Sequence, residues 1–504
     1  MLRQVVARRI SGSVRRFQRD GSIAAAASGA RLFKGSNPWQ RFLEGGLKGI
    51  SEVALQQQLQ GTVQRVHVSW VDGHKSEFST KWLIDHATEA FNSNTKQRQV
   101  DTFEVPNDVQ ALQALVATTT TTPPSQQPSA AAACAAGGNC SSTNDWQIQV
   151  LRVSWGGSAA GRKNRDIDED GTENTSTIPI AWLRQHCTSP TARGLRQRYG
   201  KAADGASHRL LPVLWDANVF SAGTPLDGTP GTHSPSSVCM DYDEIMADQP
   251  VASSPAPPAS ARLVGIIRSH GIALVRGVPT TEVGTEALAL KIGGHLRSTL
   301  YGPGMWATSA EASAGEEAFR DSAYSNDALA LHTDCGYLAD PPGIQVFNCV
   351  VRAKEGGASF YMDGFAVAER LRSANPEAFE FFSRTPLSYQ CFDDGCHYMA
   401  EGPVFRLGSQ GEVVQVRHND YDRAPLDYRS SDDIDRFYEH HKSLSGILRD
   451  PSLVARILLE PGDCVIIDNH RTLHGRESFE GRRRMVGCYL GMDELHSAAR
   501  VHGM

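Results

Sequence analysis

The chain has 504 residues, of which 40% are hydrophobic and 21% are charged, and its formal net charge at pH 7 is −6. This composition indicates a globular protein of two or three domains, and the acidic balance argues against a general nucleic-acid-binding protein. No run of about 18 apolar residues occurs, so neither a transmembrane helix nor a membrane partner is predicted. The 10 cysteines form no Cys-x-x-Cys pair, which argues against a disulfide framework and favours a reducing compartment.

Residues 1–34 are rich in Arg, Ser and Ala and contain a single acidic residue, Asp20. Apolar side chains at Leu2, Val6 and Ile10 fall roughly on one face of a helix. An amphipathic, Arg-rich and acid-poor segment is typical of an organellar presequence, whereas a secretory signal needs a continuous apolar core. We therefore expect a mitochondrial transit peptide and a location in the matrix. A disordered basic tail is the alternative.

Residues 50–220 are predicted to form a small β-rich domain built from two similar halves. Residues 66–78 alternate between apolar and polar side chains around a central turn, which is a hairpin signal. A similar pattern returns within residues 150–180, and each half ends in a Trp-Leu motif. The halves are separated by low-complexity insertions, residues 118–144 and 159–176, which we expect to be disordered loops.

Residues 221–236 are rich in Pro, Ser, Gly and Thr and are predicted to be a linker. Residues 237–504 read mainly as strands with a few helices, which suits a double-sheet jelly roll. The predicted helices are residues 263–270, 281–296, 367–374, 432–448 and 493–499. The clearest predicted strands are residues 271–277, 343–350, 358–361, 413–417 and 464–467.

His332-Thr333-Asp334 is a candidate metal-binding motif. On a strand, side chains two residues apart point to the same face, so an imidazole and a carboxylate can reach one ion. Two histidines and one carboxylate on one face of an iron leave open positions for a co-substrate and for dioxygen. Because the chain contains 17 histidines, chance also explains the pair alone, and a third ligand is needed.

The stretch 461–490 supplies a candidate third ligand, His474, beyond a turn signal and a buried strand. Arg483 then opens a further strand-like run, and a guanidinium there can hold a small dicarboxylate through a bidentate fork. Strand alternation predicts that Arg483 faces opposite to Arg482 and Arg484. Taken singly, His474 also fits a solvated loop and the three arginines an exposed turn.

The region from about residue 321 to the C-terminus resembles the Fe(II)- and 2-oxoglutarate-dependent oxygenases that include trimethyllysine dioxygenase and γ-butyrobetaine dioxygenase, and the former more closely. His470 stands where a tryptophan is expected between Asn469 and Arg471. The matching motifs are His332-Thr333-Asp334, Gly343-Ile344-Gln345-Val346-Phe347, Asp363-Gly364-Phe365, Tyr421-Asp422-Arg423-Ala424, Ile467-Asp468-Asn469, Leu473-His474-Gly475-Arg476-Glu477-Ser478-Phe479 and Gly487-Cys488-Tyr489-Leu490.

The resemblance implies a double-stranded β-helix core in which His332, Asp334 and His474 bind Fe(II) and Arg483 holds the distal carboxylate of 2-oxoglutarate. It implies hydroxylation of N6,N6,N6-trimethyllysine to 3-hydroxy-trimethyllysine, the first step of carnitine biosynthesis. The reaction would consume O2, convert 2-oxoglutarate to succinate and carbon dioxide, and use ascorbate as reductant. γ-Butyrobetaine hydroxylase is the near alternative. A catalytically silent module that binds methylammonium groups and a taurine-type oxygenase are the others.

Four aromatic residues are candidates for binding a trimethylammonium head: Tyr301, Trp306, Tyr324 and Tyr489. Such a head cannot donate a hydrogen bond, so the π faces of aromatic rings hold it best, at about 0.5–2 kcal/mol for each good contact. The resemblance implies that aromatic residues at these places form a cage. Singly, each ring is also explained by core packing.

Trimethyllysine and γ-butyrobetaine share the cationic head and differ at the other end, where trimethyllysine carries an amine as well as a carboxylate. An enzyme must therefore discriminate between them at that end. An acidic side chain near that end would favour the amine and repel a lone carboxylate. Asp321 and Asp422 are the candidates, with Asp321 preferred. Both also fit exposed turns.

The N-terminal region resembles the small domain that precedes the catalytic domain in this family, and that domain binds a structural zinc. The matching segments here retain Cys187 and His74, but Thr188, Ser189 and Pro190 follow the cysteine. Two ligands are fewer than the four a structural zinc needs, so we expect no structural zinc. A homodimer is also expected.

Overall fold

The computed structural model describes residues 50–56, 65–71, 73–92, 97–98, 101, 110–121, 146–156, 175–188, 212–221, 238–247, 257–309, 324–393, 395–427 and 430–502. The expected presequence, most of the two insertions, nearly all of the linker and Asp321 lie outside these residues. Residues 48–119 and 148–504 belong to one compact unit. Of the second unit, residues 1–47 and 120–147, only the ends of two strands are described. No described helix has the length and apolar character that a membrane span requires.

The N-terminal region contains two three-stranded sheets with the same order, β1-β2-β3 and β4-β5-β6, and a helix follows each. Equivalent tryptophans occupy the two halves: Trp70 donates its indole N–H to Ser76 (2.9 Å) and Trp155 donates to Ser176 (2.8 Å). The elements are β1 (Ile50–Gln56), β2 (Arg65–Trp70), β3 (Lys75–Ser79), α1 (Thr80–Asp85), the 3₁₀ turn Thr88–Ala90, β4 (Gln110–Thr121), β5 (Trp146–Gly156), β6 (Thr175–Pro179) and α2 (Ile180–His186).

The two insertions predicted to be disordered are partly structured, each at one end. Residues 118–121 extend β4 and residues 175–176 open β6, so the loop predictions are wrong at these positions. The physical reason is composition, because a run of β-branched threonines fits a strand as well as it fits a polar linker.

The C-terminal region is a double-stranded β-helix, and the mainly β prediction is confirmed. One sheet has the order β7-β8-β19-β11-β22-β9 and the other β10-β20-β13-β18. The strands are β7 (Cys239–Asp241), β8 (Ile272–Arg276), β9 (Met305–Ser309), β10 (Leu329–His332), β11 (Ile344–Val351), β12 (Glu355–Gly356), β13 (Ser359–Asp363), β14 (Leu387–Asp393), β15 (Cys396–Gly402), β16 (Phe405–Leu407), β17 (Val413–Val416), β18 (Ala455–Ile457), β19 (Cys464–Asp468), β20 (Thr472–Arg476), β21 (Phe479–Glu480) and β22 (Arg484–Leu490).

Helices cover the sheets and complete the core. They are α3 (Tyr242–Met246), α4 (Ala259–His270), α5 (Glu282–Ala289), α6 (Gly364–Ala374), α7 (Pro376–Arg384), α8 (Ser431–Leu448) and α9 (Met492–Val501). The middle of β19 shows why this region folds as it does. Val465, Ile466 and Ile467 are at most 1% exposed, and burying each stabilises the fold by about 1.5–3 kcal/mol.

One predicted helix is too long, and the prediction lacks another. The helix predicted over 281–296 ends at Ala289, because the chain then passes close to α9: a Cβ on Gly293 would lie 2.5 Å from the Cβ of Glu494. The helix α7 was not predicted. Its signal is present in the sequence, since Asn375 caps the helix by accepting from Ala378 N–H (3.1 Å) and Pro376 opens it.

Candidate active site

Three side chains at one end of the β10-β20-β13-β18 sheet form a cluster with metal-ligand chemistry: His332, Asp334 and His474. Asp334 Oδ1 lies 3.4 Å from His332 Nε2 and 3.4 Å from His474 Nε2. The three ligand atoms all lie within 4.8 Å of one another. Among the described residues this is the one group of three or more such ligands found.

The two histidines meet because their strands are paired in register. His332 ends β10 and lies directly opposite His474 on β20, with the ring centroids 4.4 Å apart. Close approach of these strands depends on Gly475, where a Cβ would lie 2.5 Å from the carbonyl oxygen of Leu329. A glycine between His474 and Arg476 on β20 is therefore a packing requirement.

Asp334 reaches the cluster in a way that the sequence analysis did not predict. It lies in a turn after β10 and not on the strand, so strand alternation does not place it. Asn469 places it, because its Oδ1 accepts the Asp334 backbone N–H (2.8 Å) and its Nδ2 donates to the Asp334 carbonyl (3.2 Å). The following residue, Cys335, turns the chain with a φ of 56°.

The Asp334 carboxylate is oriented by donors on its second oxygen. Tyr489 donates its hydroxyl to Asp334 Oδ2 (2.7 Å), and the side-chain amide of Gln345 donates to the same atom. Oδ1 is thereby left facing the two histidines. Burial alone would raise the pKa of Asp334, but His474 and His332 beside it hold that pKa well below its usual range. Burial and the nearby Asp334 charge raise the pKa of Tyr489, which keeps its hydroxyl a donor.

The donor set fits a divalent transition metal ion such as iron. His332 Nδ1 lies 2.8 Å from the Ala330 carbonyl, which requires a proton on Nδ1 and leaves Nε2 with a lone pair for coordination. Both Nε2 atoms and one carboxylate oxygen face a common point. This is the two-histidine, one-carboxylate arrangement that leaves open positions on iron.

The four predicted cage residues lie together beside this cluster. Tyr301 has its ring centroid 5.3 Å from Trp306, 6.3 Å from Tyr324 and 6.3 Å from Tyr489, and Trp306 lies 5.4 Å from Tyr489. Phe347, which was not predicted, adds a fifth ring 5.4 Å from Trp306. Because Tyr489 also holds Asp334, the aromatic group directly adjoins the metal ligands.

Arg483 lies one residue before β22, so the predicted strand began one residue too early. Its side chain is 6% exposed, whereas Arg482 is exposed and Arg484 is partly buried. The prediction that Arg483 faces opposite to its two neighbours is therefore confirmed. Its guanidinium lies 5.6 Å from the Phe479 ring. Within the described part of the chain no carboxylate forms an ion pair with it. Burial lowers the pKa of Arg483, although a guanidinium remains charged in proteins. A buried cation without an acid beside it favours an anionic ligand.

One cavity joins these groups, and the empty space in and above it, open solvent included, is about 590 Å³. The cavity is partly open to solvent. Its wall includes all three candidate metal ligands, Arg483 and three of the four predicted cage residues. Candidate groups for binding a metal ion, a small carboxylate and a cationic head therefore line one cavity.

Several contributors to the site were not predicted. Arg476 lines the cavity and donates to the carbonyls of Asp327 (3.1 Å) and Ser325, which fastens the segment after Tyr324 to β20. The Tyr421 hydroxyl accepts the Ala330 N–H (2.8 Å) beside His332. The motif match at residues 421–424 hinted at Tyr421, but no local pattern identifies either contact.

Three further residues from the sequence analysis are described. Cys187 Sγ lies 3.5 Å from His74 Nε2, so the segments compared with a zinc site do meet, and the expected lack of structural zinc stays a prediction. Asp422 accepts from the side-chain amide of Asn419 (2.8 Å) and is not in the cavity wall. Its role as a substrate contact also stays a prediction.

The Tyr489 hydroxyl can be tested separately from its ring. Tyr489→Phe keeps the aromatic face and removes the donor to Asp334 Oδ2, so we expect affinity for a divalent transition metal to fall about 10- to 100-fold. Titration with Co(II), followed by visible absorption, measures this. Tyr301→Phe, in the same aromatic cluster, is the matched control. Equal metal affinity in Tyr489→Phe and the unaltered protein would contradict the role of the hydroxyl.

Comparison with known proteins places this site in a family. Residues 247–489 match the family described as taurine catabolism dioxygenase TauD, TfdA family. Trimethyllysine dioxygenase, mitochondrial, from Bos taurus is 39% identical over 240 residues, which cover 47% of this chain. That match spans 55% of the bovine protein, so this chain aligns with little more than half of its length.

Two relatives match over most of their length. Trimethyllysine dioxygenase from Meyerozyma guilliermondii is 26% identical over 438 residues, covering 86% of this chain and 92% of that protein. γ-Butyrobetaine dioxygenase from Pseudomonas sp. (strain AK-1) is 32% identical over 441 residues, covering 86% of this chain and 93% of that protein. The chain therefore belongs to the TauD/TfdA family of Fe(II)- and 2-oxoglutarate-dependent dioxygenases.

Proposed function

We propose that this chain hydroxylates N6,N6,N6-trimethyllysine to 3-hydroxy-trimethyllysine while converting 2-oxoglutarate and O2 to succinate and carbon dioxide. The observation that carries the proposal is the cavity whose lining includes the three metal ligands, Arg483 and three rings of the aromatic cluster. The names of the bovine and Meyerozyma relatives support trimethyllysine as the substrate. The reaction would be the first step of carnitine biosynthesis.

Each group in the cavity has a distinct task in this proposal. Iron, when bound by His332, Asp334 and His474, supplies the activation of O2 that decarboxylation of 2-oxoglutarate and C–H hydroxylation require, and ascorbate would keep it reduced. Arg483 binds the distal carboxylate of 2-oxoglutarate. The aromatic rings hold the trimethylammonium head, and so position the carbon that is hydroxylated relative to the metal ligands.

γ-Butyrobetaine hydroxylation is the second candidate, and the full-length match to the Pseudomonas γ-butyrobetaine dioxygenase favours it. Both substrates present the same cationic head, so the aromatic cluster cannot separate them. Asp321 stays our preferred contact for the trimethyllysine amine, and it lies outside the described residues. Asp422, whose carboxylate already accepts from Asn419, is the weaker candidate.

We also propose that the protein is located in the mitochondrial matrix and forms a homodimer. The animal relatives are named as mitochondrial, which supports the transit-peptide interpretation of residues 1–34 and a matrix location. The substrate is a small molecule with a trimethylammonium head, and neither nucleic acid nor membrane is expected as a partner. A homodimer is part of the proposal.

A substrate panel tests the function. Purified protein with Fe(II), 2-oxoglutarate and ascorbate is offered trimethyllysine, γ-butyrobetaine and taurine, and kcat/KM is measured from succinate release. A product heavier by one oxygen atom must appear in parallel. We expect the highest kcat/KM with trimethyllysine. Preference for γ-butyrobetaine would replace the proposal with the second candidate, preference for taurine would reject both, and binding without turnover would indicate a silent binding module.

The aromatic cluster can be tested with a neutral analogue in which a carbon atom replaces the quaternary nitrogen. Trp306→Leu removes one ring, so the KM for trimethyllysine is expected to rise about 2- to 30-fold, the equivalent of about 0.5–2 kcal/mol. The KM for 2-oxoglutarate should not change. In competition assays, the preference for the cation over its neutral analogue should shrink in the variant. Equal loss of both ligands would mean that Trp306 contributes shape alone.

A further inference from the structure

Tyr301, one ring of the aromatic cluster, lies at the corner of a tight turn. Thr299 N–H donates to the Gly302 carbonyl (3.0 Å), and Gly302 N–H donates to the Thr299 carbonyl (3.2 Å). The Tyr301 N–H also donates to Thr299 Oγ1 (3.3 Å), which stiffens the turn further. Any shift at the base of the turn therefore carries the Tyr301 ring with it.

Both ends of this turn are fixed on β22. At its start, Arg297 N–H donates to the Tyr489 carbonyl (2.7 Å). At its end, Met305 opens β9 and pairs with Cys488, the residue before Tyr489. Two anchors on neighbouring residues define an axis, and by themselves they leave rotation about that axis unrestrained. A third contact, away from the axis, is needed to set the direction of the turn.

The guanidinium of Arg297 makes such a contact. Nη1 donates to Asp340 Oδ2 (2.8 Å) and to the Pro341 carbonyl (3.4 Å), and Nη2 donates to the Asp340 carbonyl. The Asp340 side chain is 77% exposed, and an exposed ion pair contributes little to stability. The two carbonyl groups, which a planar fork of donors engages together, are therefore the acceptors that matter.

The segment that accepts from Arg297 is itself fixed to the metal site. Asn469 Nδ2 donates to the carbonyl of Pro342, the residue after the clamped pair (2.9 Å). The same amide group donates to the Asp334 carbonyl (3.2 Å), and its Oδ1 accepts the Asp334 N–H (2.8 Å). Arg297 thus ties the turn that carries Tyr301 to the structure that places a metal ligand.

We propose that Arg297 is a positioning residue that sets the place of the Tyr301 ring in the aromatic cluster, and thereby the affinity for the trimethylammonium head. The inference rests on the proposed function, which gives the cluster a cation to bind. Cation–π attraction requires the cation within about 6 Å of the ring centroid. Because Tyr301 already lies 5.3 Å from Trp306 and 6.3 Å from Tyr489, a small rotation of the turn takes its ring out of range. Arg297 does not line the cavity, so it acts through the turn.

A double-variant comparison tests whether Arg297 acts through Tyr301. Isothermal titration calorimetry measures the Kd of tetramethylammonium, the bare cationic head, for the full-length protein loaded with Fe(II) under argon. Tyr301→Leu removes one ring and should raise this Kd about 2- to 30-fold. Arg297→Met should reproduce most of that rise. Added to Tyr301→Leu, it should change the Kd less than about twofold, because the ring that it positions is already gone.

Two controls separate positioning from folding and from the ion pair. Asp340→Asn keeps both carbonyl acceptors, so its Kd for tetramethylammonium should equal that of the unaltered protein. The Kd of Arg297→Met for 2-oxoglutarate and its circular dichroism should also be unchanged, since a general loss of structure would alter both. If Arg297→Met does not fold, Arg297→Lys, which keeps the charge and lacks the planar fork, replaces it in the same comparison.

Three results would overturn the inference. They are an unaltered protein that does not bind tetramethylammonium, a Kd in the Arg297 variant equal to that of the unaltered protein, and fully additive effects of the Arg297 and Tyr301 substitutions. Failure of the proposed function has a different signature. In that case the unaltered protein binds tetramethylammonium but does not hydroxylate trimethyllysine, and the Kd comparison still decides the role of Arg297.

Discussion

Replacing His474 with alanine is expected to abolish iron retention and hydroxylation together while leaving the fold intact. His474 supplies one of two Nε2 atoms that face Asp334 Oδ1 at 3.4 Å. Loss of an outer-shell partner costs a metal site about 10- to 100-fold in affinity, and loss of a direct ligand should cost more. His332→Ala and Asp334→Ala are expected to behave in the same way.

The measurement has two readouts, so folding and metal loss can be told apart. Iron content after removal of loosely bound metal reports the site, and far-ultraviolet circular dichroism with a thermal melt reports the fold. His295→Ala is the matched control, because His295 is exposed and lies outside the cavity wall. Near-normal turnover with bound iron in any of the three variants would show that the ligand set is wrong.

Much of this site was accessible from the sequence because its groups lie in short, spaced motifs. His332, His474 and Arg483 each sit within a recognisable turn-and-strand context, and alternation correctly predicts that Arg483 faces inward while Arg482 and Arg484 do not. A double-sheet jelly roll followed from the strands and their punctuation, and the family resemblance implied the double-stranded β-helix. Each of the three site motifs is local, extending over fewer than ten residues, but only their occurrence together distinguishes them from chance.

What was missed depends on contacts between distant residues. Asp334 was expected on a strand, yet Asn469, 135 residues away, holds it in a turn. Gln345 and Tyr489 select which oxygen of Asp334 faces the histidines, and that choice exists only after β11 and β22 have paired. The β14–β15 hairpin was also missed, because its outer strand is exposed on both faces and shows no apolar alternation. The Asp-Gly pair at residues 394–395 was the hairpin signal available in the sequence.

Arg483→Met is expected to raise the KM for 2-oxoglutarate about 10²- to 10³-fold with little loss of stability in the absence of ligand. Truncating one partner of a buried ion pair costs about 3–5 kcal/mol, and each 1.4 kcal/mol is tenfold. That cost arises only when the carboxylate is bound. In the free protein Arg483 is a buried cation with no ion-pair partner among the described residues, so a neutral side chain of similar length relieves a desolvation cost.

Thermal shift without turnover separates these two effects. A ligand at 100 times its Kd stabilises the folded state by about 2.7 kcal/mol, so 2-oxoglutarate should raise the Tm of the unaltered protein and not that of Arg483→Met. Arg484→Met is the matched control, because Arg484 is only partly buried and pairs with Glu282 at 3.7 Å. If Arg484→Met loses the response and Arg483→Met keeps it, the anion-binding arginine is one residue further along. A Tm well below that of the unaltered protein for ligand-free Arg483→Met would mean instead that Arg483 stabilises the fold through a partner of its own.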